Sequence, residues 1–180
     1  MKRIFIILFV FIYFPSHLFA KSPFDHKKNH DSVLPRIKIE VLPSKSVILP
    51  GEEFKFYISV ILGEGWHIYS LSPFPGNEML KTKVFMDTNV FTGQGEWKEP
   101  KPVLIRDEAV GKVVKGHKGN IEFFRNYLVP NDLEDNKYYF KGKLVVRTCN
   151  NKICGLPQKL PFRSIIQVKK TPAKGVATKK

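Results

Sequence analysis

Apolar and polar side chains alternate with a period of two along much of the chain. Ile37, Ile39 and Val41 alternate with Lys38 and Glu40, and Phe54, Phe56, Ile58 and Val60 alternate with Lys55, Tyr57 and Ser59. Successive side chains of a strand point to opposite faces, so each run predicts a half-buried β-strand. Pro50-Gly51 marks a turn just before the second run, and Gly63 and Gly65 bracket another. Trp66 to Ser70, Val84 to Met86, Val103 to Ile105 and Ile121 to Phe124 add short extended segments. No apolar spacing of three, four and seven residues persists long enough to predict a helix.

The last predicted hairpin has the clearest parity. Tyr138, Phe140, Leu144 and Val146 share one face, while Lys141, Lys143, Val145, Arg147 and then Cys149 share the other. Leu160, Phe162, Ile166 and Val168 return inward against Arg163 and Gln167. Continued through Arg147, this parity predicts that Cys149 leaves its strand on the charged, solvent-facing side. Cys149 to Cys154 then connects the two strands. Many short strands, punctuated by 13 prolines and 12 glycines, predict an all-β antiparallel sandwich.

The ends of the chain do not share this pattern. Residues 1–20 read as an export signal: Lys2 and Arg3, an apolar run from Ile4 to Phe14, and an exit segment ending at Ala20. That run is too short for a membrane-spanning helix, which needs about 20 residues. A soluble product starting near Lys21, periplasmic or otherwise exported, is the expectation. Residues 21–35 are polar and predicted to be flexible, residues 36–168 form the domain, and residues 169–180 form a basic flexible tail.

The formal net charge of +14 raises nucleic-acid binding, but its distribution argues against it. The tail holds five lysines and no acid, and the basic excess within 36–168 is spread along every strand rather than gathered on a basic helix. A solvated basic surface is expected, with weak association of the tail with anionic membranes. No Ser-His-Asp arrangement, phosphate-cradling glycine loop or paired-carboxylate signature appears, and no cofactor is implied.

Cys149 and Cys154 are the two cysteines, and three readings of them stay open. A structural disulfide is the ordinary outcome for a pair in an oxidising compartment. Closing a six-residue ring, however, constrains the unfolded chain by only about 2 kcal/mol. The expected exposure of Cys149 and the polar loop Asn150-Asn151-Lys152 suit thiol-disulfide exchange instead. Arg147 and Lys152 would favour a thiolate, and any acid folded against the pair would oppose it. A metal site built from Cys149, Cys154, His67 and His117 is the third reading, although the spacing is not that of a zinc motif.

Two segments change this balance: Gly65-Trp66-His67-Ile68-Tyr69-Ser70, and Cys149-Asn150-Asn151-Lys152-Ile153-Cys154-Gly155-Leu156-Pro157 followed by Pro161-Phe162. Over roughly Val33 to Val168 the chain resembles the N-terminal periplasmic domain of the thiol:disulfide interchange protein DsbD. The resemblance implies an immunoglobulin-like sandwich whose cysteines accept electrons from a membrane-embedded thiol donor. They would pass them to periplasmic thioredoxin-like or disulfide isomerase-type acceptors, with Cys154 as the attacking cysteine. It further implies that Asp107-Glu108, followed by Gly111, belongs to a cap loop over the cysteines, with Tyr69 lining the site beside His67. Ala109 stands where the family carries a bulky aromatic cap, a departure that predicts more open cysteines. No multi-span region or Cys-x-x-Cys domain follows Val168, so the donor is expected to be a separate protein.

Overall fold

The computed structural model describes residues 37–170. The expected export signal at 1–20, the segment 21–35 expected to be flexible, residue 36 and tail residues 171–180 lie outside the described residues. Twelve strands follow in order: β1 (Ile37–Pro43), β2 (Val47–Ile48), β3 (Glu53–Leu62), β4 (His67–Tyr69), β5 (Lys83–Met86), β6 (Thr92–Lys98), β7 (Val103–Asp107), β8 (Lys112–Lys118), β9 (Asn120–Leu128), β10 (Asn136–Val146), β11 (Thr148–Cys149) and β12 (Gln158–Val168). A single 3-10 turn, Glu78–Leu80, is the one helical element among the described residues. No helix of the described residues is long and apolar enough to cross a membrane.

The strands form three four-stranded sheets, ordered β1-β3-β9-β6, β2-β12-β10-β5 and β11-β4-β8-β7. All pairings are antiparallel except β12 with β2. The first two sheets make an immunoglobulin-like sandwich, and the alternation read from the sequence sets its interior. Phe54, Phe56, Ile58 and Val60 of β3 are buried against Phe140, Leu144 and Val146 of β10 and Phe162, Ile166 and Val168 of β12. Phe140 is the hub, with ring centroids 4.5 Å from Phe56, 4.8 Å from Tyr127 and 5.6 Å from Phe91, all edge-on. Edge-to-face packing sets the electropositive rim of one ring against the face of another, beyond the gain from burial.

The third sheet carries the chemistry, and its position depends on how β10 ends. At Val146 the strand leaves β12, and after Arg147 the chain joins β4 of the third sheet through Thr148 and Cys149. The parity of β10 therefore does not continue into Cys149, which is 0% exposed. This corrects the solvent-facing placement expected from the sequence.

Truncating the hub should weaken the whole sandwich: Phe140→Ala is expected to cost about 3–5 kcal/mol. A shift of the urea unfolding midpoint with unchanged slope checks it, and a loss below 1 kcal/mol would contradict the packing described.

Candidate functional site

Side-chain parity in the third sheet gathers a polar cluster on one face. Cys149 pairs with His67, Thr148 with Ile68, and Tyr69 with Gly116. His67, Tyr69 and Cys149 thus share a face, and Ile68 and Thr148 turn to the other. Asp107 ends β7 opposite Lys112, four positions farther along β8 than the partner of Tyr69. In a flat sheet those four positions alone span roughly 13 Å. Asp107 nevertheless touches both His67 and Tyr69, so the β7–β8 hairpin curls back over β4. Gly116 permits the close approach: a Cβ there would lie 2.5 Å from the Ile68 carbonyl oxygen and 3.0 Å from Ile105 Cδ1.

The contacts converge on two atoms. Tyr69 donates its hydroxyl to Asp107 Oδ2 at 2.6 Å, and His67 Nε2, facing the same carboxylate oxygen at 2.9 Å, donates as well. Asp107 Oδ1 accepts the amides of Ala109 at 3.0 Å and Val110 at 3.3 Å. The carboxylate and its two side-chain donors are buried, Asp107, His67 and Tyr69 being each at most 1% exposed, whereas Ala109 and Val110 are half-buried. The Tyr69 hydroxyl oxygen also lies 2.8 Å from Cys149 Sγ and 3.3 Å from Cys154 Sγ, and Cys154 Sγ is 4.0 Å from Asp107 Oδ2. Cys149 and Cys154 are joined as a disulfide. The loop between them is ordered by Asn150, whose Oδ1 accepts the amides of Lys152 and Ile153, both at 2.9 Å. Gly155 closes it by donating to the Thr148 carbonyl at 2.9 Å.

The electrostatics follow from this burial. Burial raises the Tyr69 pKa most, with the bond to Asp107 and its charge adding to the rise and Arg147 slightly opposing it. Tyr69 therefore stays a protonated donor at any physiological pH. Behind the sheet a second carboxylate is held. Glu99 accepts Ser70 Oγ at 2.5 Å, the Leu71 amide at 2.7 Å and His117 Nε2 at 2.9 Å. Burial alone would raise its pKa, but the bonds from His117, Ser70 and Leu71 outweigh that and leave it below the ordinary 4.5.

The structure thus brings together Cys149, Cys154, Tyr69, His67 and Asp107. It leaves Glu108 outside, exposed and bonded to Arg106 at 2.7 Å. Ala109 contributes its amide rather than its side chain. Openness does not follow from the missing aromatic: Val110, Leu80, Ile105 and Val114 pack around the pair, Cys149 is fully buried, and Cys154 is half-buried. His117 turns to the Glu99 side, because it pairs with Ile68 rather than His67, so the four-ligand set read from the sequence does not assemble. His67, Asp107 and Cys149 do place ligand-type atoms within 4.8 Å of one another. Their donors are already committed, however: the His67 nitrogen to Asp107 and the Cys149 sulfur to the disulfide. Sequence reading missed Leu80 and Val110, which lie in the short apolar pairs Met79-Leu80 and Ala109-Val110 of segments without period.

The family model described as "Thiol:disulfide interchange protein DsbD, N-terminal" matches residues 39–163. Among solved structures, the N-terminal periplasmic domain of ScsB from Proteus mirabilis matches with a TM-score of 0.50 and 18% identity, over 71% of this chain and 45% of that one. The chain thus spans less than half of that structure's length. A type I cohesin–dockerin complex chain from Clostridium thermocellum matches with a TM-score of 0.40 and 11% identity, over 73% and 99% of the two chains, too loose a likeness to inform the site. No curated protein matches the sequence.

Two outcomes test the site. In the reduced protein, Asp107→Asn removes an anion beside Cys154, so alkylation by iodoacetamide at neutral pH should become several-fold faster; an unchanged or slower rate would contradict this placement. Because the Glu99 pKa is depressed in the fold, the stability it supplies is present above the unfolded value and lost as pH falls through the folded one. Glu99→Gln should flatten acid unfolding below about pH 4.5, as followed by circular dichroism.

Proposed function

The chain belongs to the family of N-terminal domains of the thiol:disulfide interchange protein DsbD, and from that membership we propose that it relays reducing equivalents by thiol-disulfide exchange at Cys149 and Cys154. One observation carries the reading: the two sulfurs differ in access but share one hydroxyl. Cys154 is half-buried and Cys149 is sealed, while Tyr69 touches both.

Access decides which sulfur reacts first. A donor thiolate attacks Cys154 Sγ, the bond between the two sulfurs breaks, and its electron pair leaves on Cys149. Tyr69 can turn its O–H from Asp107 to that buried thiolate, while His67 still donates to the carboxylate. The donor's second thiolate then attacks its own sulfur in the mixed disulfide and releases Cys154. The donor dithiol has become a disulfide, Cys149-Cys154 has gained two electrons, and two protons complete the thiols. Passing the electrons on runs the same steps in reverse, with the Cys154 thiolate attacking an acceptor disulfide and Cys149 resolving the mixed species.

The donor in this reading is a membrane-embedded thiol protein, and the acceptors are thioredoxin-like or disulfide isomerase-type proteins. Export by residues 1–20 would place the relay in the periplasm, where disulfides persist. Asp107 acts as a positioning residue: it holds the cap hairpin and supplies the alternative acceptor that keeps the Tyr69 proton available.

The burial of Cys149 also favours a second reading, a β-sandwich binding or assembly module whose disulfide is a staple, since inert cysteines are usually buried. The two readings predict different variants. Cys149→Ser should accumulate a mixed disulfide through Cys154 with a thioredoxin-like partner on non-reducing gels, whereas Cys154→Ser should form little. A wild-type reduction potential below about −300 mV, with no mixed species from either variant, would assign the pair to the staple.

A further inference from the structure

A cleft of about 300 Å³ lies beside the disulfide, lined by Met79, Leu80, Lys81, Lys83, Arg147 and Pro157 together with Glu78 and the β10 end. Leu80 joins it to the site, because its side chain packs in the same cluster as Cys149 and Cys154. The chain also enters both regions in sequence: Arg147 precedes Cys149 by two residues, and Pro157 follows the loop that carries Cys154.

The polar groups of this cleft are unequally engaged. Arg147 Nε is buried and has no hydrogen-bond partner among the described residues. Leaving such a donor dry and unpaired is unfavourable, so the guanidinium is short of partners within the fold, and a carboxylate entering the cleft that Arg147 lines would supply a charge-assisted one. Lys81 and Lys83 are exposed and form no ion pair among the described residues. The one acid on the rim, Glu78, is occupied locally, since its Oε1 accepts the Gly76 amide at 2.9 Å. Three cations therefore face one committed anion.

Apolar side chains are also left exposed here. Met79 of the cleft wall is 88% exposed, Leu156, the neighbour of Pro157 in sequence, is 84% exposed, and Ile153 of the cysteine loop is exposed as well. Exposed apolar groups beside a reactive bond, rimmed by cations, have the composition of a transient docking surface: adaptable thioether and aliphatic contacts at the centre, charge at the edge.

We propose that this cleft docks thiol partners that carry acidic side chains next to their reactive cysteine, with a partner carboxylate seated at Arg147 between Lys81 and Lys83. The proposal rests on the exchange reading and adds what that reading leaves open, the charge of the partner. The bound carboxylate holds the partner thiolate at the Cys154 side of the disulfide. Complementary charge then acts mainly on the rate of productive encounter.

Two synthetic monothiol peptides test it, identical except that the cysteine is flanked by glutamates in one and by lysines in the other. Each thiolate attacks Cys154, giving a mixed disulfide with the peptide and a free Cys149 thiol. Each rate is divided by the same peptide's rate with hydroxyethyl disulfide, which removes differences in thiolate fraction. At low ionic strength the glutamate peptide should react about ten-fold faster with the full chain, and the preference should shrink as salt is raised. K81E/K83E should abolish or invert the preference, and K81Q/K83Q, the milder variant, should reduce it. Dithiothreitol, which carries no side-chain charge, should still reduce all three proteins. Equal normalised rates for the two peptides, with dithiothreitol reducing the pair, would overturn the acidic-partner proposal and leave the exchange reading standing. Failure of every thiol to open the disulfide would overturn both. Loss of anionic-vesicle binding in K81Q/K83Q without any peptide preference would assign the cations to lipid and overturn the proposal as well.

Discussion

The arrangement of the site depends on one buried carboxylate. An ionised carboxyl group removed from water is strongly unfavourable unless its lone pairs are filled, and Asp107 at 0% exposure has four donors. Two of them, Tyr69 and His67, belong to β4. The other two, the amides of Ala109 and Val110, belong to the turn that follows β7. The carboxylate therefore fixes the curled β7–β8 hairpin against β4. That hairpin contributes Val110, Ile105 and Val114 to the cover around the cysteines. Enclosure here comes from an electrostatic clamp and small aliphatic groups, not from one large aromatic.

The sandwich supplies the rigid floor for that clamp. Its interior is filled by interlocking aromatic rings, and packing of this density transmits position accurately. The third sheet inherits its placement from the chain crossing at Arg147, and from behind it is held by Glu99, which gathers Ser70, the Leu71 amide and His117. The two faces of β4 thus carry two separate polar systems. His67 and Tyr69 serve the disulfide, and Ser70 anchors the strand to the β6–β7 connection.

Unequal access to the two sulfurs orders the proposed chemistry. Half-burial of Cys154 leaves an approach for an incoming thiolate, while full burial of Cys149 makes its leaving thiolate dependent on a local donor. Tyr69 suits that need because burial keeps its proton in place and its oxygen is already within 3.3 Å of both sulfurs. The cations of the neighbouring cleft act at longer range, on partner approach, rather than on the bond itself.

Much of this was legible in the sequence. Alternation placed β1, β3, β10 and β12 and the residues of the main core, because parity within one continuous strand follows from local geometry alone. The segments Gly65 to Ser70 and Cys149 to Pro157 also brought forward Tyr69, His67 and the cysteine pair. The irregular strands were less visible: β6 contains Gly93 and Gly95 and a register shift, and β8 is covered unevenly on its two faces. Only the tertiary structure decided that Cys149 is buried and Cys154 is reachable. Parity carries no further than the strand, and the chain changes sheets at Arg147. Only the tertiary structure, too, made Asp107 the centre of the site. Whether an acid in a turn is solvated or buried depends on donors elsewhere in the chain, here 38 and 40 residues away.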